Sequence, residues 1–155
     1  MESIAVKAWV VSRDFKETWE RATLNYWHTF GHALEVLFTP PLNHGVSVWY
    51  WIIFANFLSN QLGISSQSFW EKINKELIKK LQTQKLDSVI FNSSEKVTSF
   101  LMKKMRNDKK NIGNDINFIL PANFWKFIKT SITETELRIC IKEYFNYLEK
   151  NKLLV

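Results

Sequence analysis

The chain has 155 residues, 46% apolar and 15% aromatic, enough to close one packed domain and too apolar for a disordered, collagen-like or low-complexity polypeptide. A single cysteine, Cys140, excludes a disulfide framework and a cysteine zinc knuckle, and a reducing compartment is the simplest setting for it. The net charge of +6 is concentrated, with 11 bases and 5 acids in residues 71–110; this is either the solvated face of two helices or the footprint of an anionic ligand, and no motif makes it a nucleic-acid surface.

Residues 5–11 are short and apolar and read as helix, although a strand would also suit them. Residues 17–38 carry Trp19, Leu24, Trp27, Phe30, Leu34 and Leu37 at steps of three to five, which predicts a helix ended by Thr39-Pro40-Pro41. Residues 45–62 predict a second helix, apolar nearly all round and therefore central, with Gly63 just past its end. Ser65 or Ser66 then caps a third helix over 67–81, with Phe69, Trp70, Ile73, Leu77 and Leu81 on one face.

Residues 89–91 are ambiguous. Ser94 and Glu95 open a fourth helix to about Met105, with Val97, Phe100, Leu101 and Met105 inside. Residues 107–114 form a polar, lysine-rich turn. Residues 116–120 alternate apolar and polar and predict the one convincing strand. Residues 133–149 predict a last amphipathic helix on Leu137, Ile141, Tyr144 and Leu148. The expected fold is a single mainly α, multi-helical domain over residues 1–155, with at most a small β element near 116–120. The opening residues lack the pattern of a signal peptide. The longest apolar stretch, residues 46–58, is too short to cross a bilayer as a helix. A cytoplasmic location with no membrane partner is expected.

All three histidines, His28, His32 and His44, fall within 17 residues. His28 and His32 are four apart and share a helix face. A tight turn at the Pro-Pro break can return His44 against them. Imidazole is the usual zinc ligand and the usual acid or base near neutral pH. The pair lacks the internal Glu of HExxH, so a zinc-protease reading is poor. The three imidazoles could form a site alone, or two of them with a carboxylate. They could equally be unrelated. The four glycines, Gly31, Gly45, Gly63 and Gly113, make no nucleotide-binding loop, so a dinucleotide would need another domain or chain.

The flanking residues carry a resemblance. Arg21-Ala-Thr-Leu-Asn25-Tyr-Trp-His28-Thr-Phe-Gly-His32-Ala-Leu-Glu35 resembles the R-x-x-L-N-[FY]-G-H-T-x-G-H-A-[IL]-E segment of 3-dehydroquinate synthases. His44-Gly45 resembles the H-G-E that follows it. Lys7, Val10, Val11, Asp14, Glu17 and Arg21 match K-x-x-V-V-x-x-D-x-x-E-x-x-x-R, and Asp108-Lys109-Lys110 resembles the family's D-K-K turn. The likeness covers almost the whole chain, but only the family's C-terminal α-helical domain.

This resemblance implies the lyase chemistry of the shikimate pathway, which leads to aromatic amino acids: a seven-carbon sugar-acid phosphate (DAHP) becomes 3-dehydroquinate with loss of phosphate. It implies a divalent metal, zinc or cobalt, and NAD held by an N-terminal domain that this sequence lacks. By the same resemblance His28 and His44 would be metal ligands, with a third, a glutamate, coming from the missing domain. His32, Lys7 and Asn25 would be catalytic. Arg21 and one of Lys109 and Lys110 would bind the anionic sugar phosphate.

Departures from the pattern are also visible. Family glycines are Trp19 and Trp27, the Glu after His44-Gly45 is Val46, and small residues are Trp49 and Trp51. The expected function is the metal- and substrate-binding half of a 3-dehydroquinate synthase-like enzyme, inactive without an NAD-binding half. A separate NAD-binding chain or a homodimer would be the partner. The alternatives are a non-catalytic regulatory module, whose added tryptophans build a partner surface, or a related sugar-phosphate cyclase.

Overall fold

The computed structural model describes residues 12, 28–88, 94–106 and 115–155. The expected helix over 5–11, the lysine-rich turn and residues 89–91 lie outside them. Among the described residues, five helices and one hairpin follow in chain order: α1 (His28–Glu35), α2 (His44–Gln61), α3 (Gln67–Leu81), α4 (Ser94–Arg106), β1 (Ile116–Asn123), β2 (Lys126–Ile132) and α5 (Glu134–Lys150). The fold is mainly α, as its periodicities predict.

α2 is the central element. Tyr50, Trp51, Ile53, Phe54, Ala55 and Leu58 are wholly buried, which is why its sequence has no polar stripe. Its buried polar residues Ser47, Asn56 and Ser59 each make a hydrogen bond, as burial requires. The Ser47 hydroxyl donates to the His44 carbonyl at 2.8 Å. Asn56 donates to the Asn74 side chain of α3 at 3.0 Å. Ser59 donates to the Pro121 carbonyl of β1 at 2.6 Å. These bonds fix the rotation of α2 against its neighbours. Gly63 adopts φ 68° just past the helix end, a backbone state that an L side chain resists.

Ser66, not Ser65, caps α3, accepting from the Phe69 amide. Five buried α5 residues, Leu137, Ile141, Tyr144, Phe145 and Leu148, close the core from the other side. No helix among the described residues is long and apolar enough to cross a membrane.

Two expectations are corrected and one is extended. The helix expected over 17–38 lies outside the described residues up to position 27, and its described part, α1, ends at Glu35 rather than Phe38. The backbone turns over residues 36–40, and the Leu42 amide returns to the Glu35 carbonyl at 3.0 Å. The small β element expected near 116–120 is present, and it extends beyond that stretch. β1 runs to Asn123 and pairs antiparallel with β2, in register Ile116 with Ile132. β2 escaped the sequence pattern because only Ile132 of its seven residues is buried, so no apolar alternation marks it. Finally, Trp51 builds no partner surface. It is wholly buried, with ring centroids 5.4 Å from Phe30 and 6.0 Å from Phe118. A Cβ at Gly31 would lie 3.6 Å from Trp51 Cβ, so α1 packs its glycine directly on this indole.

Candidate metal centre

The last turn of α1 presents His32 and Glu35, three residues apart and therefore neighbours on one face. The loop after α1 then doubles back. Asn43 caps α2 by accepting from the Gly45 amide at 2.9 Å, which makes His44 the first residue of that helix. Its carbonyl is held by Ser47. The caps and the reversal set His44 against the end of α1.

The side chains converge. His44 Nδ1 lies 2.9 Å from Glu35 Oε2. His32 Nδ1 lies 3.8 Å from the same oxygen. The two imidazole centroids are 5.8 Å apart. One ligand atom from each of His32, Glu35 and His44 lies within 4.8 Å of the others. The imidazoles are 58% and 63% exposed and the carboxylate 27%, so the cluster is open to an ion or a small ligand. Ligands about 2.0–2.2 Å from one zinc ion sit roughly 3–4 Å apart. The cluster therefore needs only a small rotamer closure. Two imidazoles and a carboxylate suit zinc and other divalent ions.

Of the residues expected to form a site, the structure brings His32 and His44 together. His28 begins α1, one turn ahead of His32, and its side chain lies outside the described residues. Lys7, Arg21, Asn25, Lys109 and Lys110 lie outside them as well. Glu35 was not assigned a role from the sequence. Its signal was the i,i+3 spacing from His32 inside the same motif.

A cleft of about 340 Å³ starts on the residues flanking His44. Val46 and Trp49 supply its apolar wall, and Lys80 reaches over the Trp49 ring at 5.3 Å. A second hollow, about 280 Å³, lies between α4 and α5. Glu134 on its wall pairs with both Arg106 and Arg138, the latter at 2.8 Å, and Arg138 also donates to Ser99 at 3.2 Å. This network clamps the two helices.

Known proteins agree with this architecture. Residues 1–111 match the model of the 3-dehydroquinate synthase C-terminal family. The 3-dehydroquinate synthase of Sulfurovum is 34% identical over 145 residues, covering 92% of this chain and 39% of that enzyme. The pentafunctional AROM polypeptide of Scheffersomyces stipitis is 38% identical over 126 residues, covering 77% of this chain and 8% of that polypeptide. A solved 2-deoxy-scyllo-inosose synthase, complexed with carbaglucose-6-phosphate, NAD+ and Co2+, shares the fold. Its TM-score is 0.70 at 21% identity, covering 90% of this chain and 38% of that one. The chain thus spans well under half the length of these relatives. With most of its length matched by the family model, the chain belongs to the 3-dehydroquinate synthase C-terminal family.

Proposed function

We propose that this chain is the metal- and substrate-holding part of a 3-dehydroquinate synthase-type enzyme, which converts DAHP to 3-dehydroquinate with loss of phosphate. The observation that carries this reading is the convergence of His32, Glu35 and His44 at the α1–α2 junction. Imidazole and carboxylate are the right donor types for a divalent cation, and the structural neighbour solved with Co2+ supports the choice of group. A bound ion would supply Lewis-acid polarisation of a substrate hydroxyl. His28 joins His44 as a ligand in this reading, and His32 lies beside the substrate. Lys7, Arg21, Asn25 and one of Lys109 and Lys110 hold its carboxylate, hydroxyls and phosphate by charge-assisted hydrogen bonds.

NAD is held elsewhere in this reading, because no glycine-rich phosphate loop occurs in these 155 residues. A separate NAD-binding chain, or a further part of a longer protein, supplies it. The test mixes the purified chain with the NAD-binding half of the Sulfurovum relative, NAD, Co2+ and DAHP, and follows phosphate release. Turnover is expected only in the mixture, and His44→Ala is expected to remove it. Turnover by the chain alone, or turnover indifferent to His44→Ala, would overturn the reading.

A further inference from the structure

Glu35 is the one residue of the cluster to which the reading above gives neither a ligand position nor a substrate contact. Its carboxylate oxygen lies 2.9 Å from His44 Nδ1. An ionised carboxylate only accepts hydrogen bonds, so Nδ1 must carry the proton of this contact. A neutral imidazole has a single ring proton. With that proton on Nδ1, Nε2 is left with its lone pair free.

The surroundings make this contact matter. His44 sits at the first residue of α2, and its side chain is 63% exposed. Among the described residues the ring beside it is that of exposed His32, with centroids 5.8 Å apart, which is little to hold one rotamer against the side-chain entropy that holding it costs. Glu35 is better anchored. It ends α1, its carbonyl accepts from the Leu42 amide at 3.0 Å, and its side chain is 27% exposed.

We propose that Glu35 is a positioning residue that fixes both the tautomer and the orientation of His44, so that Nε2 is presented as the metal ligand. Metal-binding histidines commonly donate their second ring nitrogen to a carboxylate, and losing that partner typically weakens metal binding 10- to 100-fold. The inference rests on the metal reading above only in its second half, since the tautomer is a property of the metal-free chain. Direct ligation by Glu35 is less favoured, because the oxygen nearest the cluster is already engaged by the His44 ring.

The experiment uses the full chain, labelled with 15N, at pH about 8, where an ordinary imidazole is neutral. Long-range proton–nitrogen correlation should show His44 protonated on Nδ1. Glu35→Ala should lose that single tautomer, whereas Glu35→Gln, whose amide oxygen can still accept, should keep it. Co2+ titration, read by its visible absorption, should then separate the variants. Glu35→Ala should bind about 10- to 100-fold more weakly, Glu35→Gln should stay within a few-fold of the parent, and His44→Ala should lose the site.

Circular dichroism controls for folding. An Nε2-protonated His44 in the parent, or unchanged Co2+ affinity in Glu35→Ala, would overturn the proposal. So would equal losses in the Ala and Gln variants, which would make Glu35 a ligand itself. Co2+ binding indifferent to His44→Ala would instead sink the metal reading, and the tautomer measurement would still judge the Glu35 contact.

Discussion

The Tyr144 hydroxyl donates to the backbone carbonyl of Tyr50 across 2.7 Å, tying α5 to the middle of α2 over 94 positions of chain. Tyr50 passes the link on, donating to the Gln84 carbonyl at 2.9 Å and the Leu153 carbonyl at 3.3 Å. Burial pushes both phenols well above the ordinary tyrosine range. They stay protonated where an unfolded chain's tyrosines, near pH 10, ionise. The native state then binds more protons than the unfolded one, so stability is complete below about pH 10 and falls as pH rises beyond it. Phenolate absorbance and helical ellipticity should therefore change together for these two groups. Ionisation at pH 10 with the fold intact would contradict this. Tyr144→Phe should cost about 1 kcal/mol in urea unfolding.

Trp51 and Trp125 make a second prediction by contrast. Trp51 fills the space between α1, α2 and β1 and touches Phe30, Phe54 and Phe118. Trp125, at the hairpin tip, is 93% exposed. Trp51→Ala should cost about 3–5 kcal/mol, because the cavity cannot collapse around three rings. Trp125→Ala should stay within about 0.5 kcal/mol of the parent. Comparable losses from the two would mean that the tip carries a packing role that its exposure denies.

The contrast also shows what the sequence could reveal. α3 was legible nearly to the residue, because Trp70 and Leu81 mark its buried face and end in purely local terms, and only the choice between Ser65 and Ser66 as its cap needed the structure. α2 was legible as central, because an all-apolar helix has nowhere else to go. What escaped depends on long-range partners. β2 is strand only because β1 lies beside it. The pairing of Leu86 with Leu154 joins two stretches with no pattern of their own. At the site, His32 and His44 were visible as residue types at a turn. Glu35 needed the three-dimensional reversal that lays α1's last turn on α2's first residue.

The start of α5 supplies a third prediction. Thr133 accepts from the Glu136 amide at 3.3 Å, and the Glu136 carboxylate accepts from the Thr133 amide at 3.1 Å. The Thr133 hydroxyl, and then its amide, hold the Glu136 carboxyl below the ordinary carboxylate range. That contribution is present above the unfolded carboxylate range and disappears as pH falls through the lowered folded value. Thr133→Ala should cost about 1 kcal/mol at neutral pH. Its difference from the parent should shrink when urea unfolding is repeated in acid. A difference that does not change with pH would separate the cap from the carboxylate.

The last prediction asks whether an anion is held by a site or by general positive charge. Several lysines of the basic stretch already have local partners. Lys79 Nζ lies 3.0 Å from Glu76, the Lys72 ammonium stands 5.9 Å from the Phe124 ring centroid, and Lys80 stands 5.3 Å from that of Trp49. Such exposed contacts hold little energy each and are screened by salt. Under the proposed function Arg21 binds the substrate anion, and a guanidinium can do so bidentately. Phosphate titration of the full chain, followed by NMR, should therefore weaken by about tenfold or more in Arg21→Ala. Lys79→Ala should change it less than about twofold, because a surface ion pair contributes so little. Raising the salt should weaken both proteins' binding, since long-range attraction contributes in each. If Lys72→Ala, Lys79→Ala and Arg21→Ala all weakened phosphate equally, the anion would be held by the basic surface as a whole, and the substrate role of Arg21 would fall.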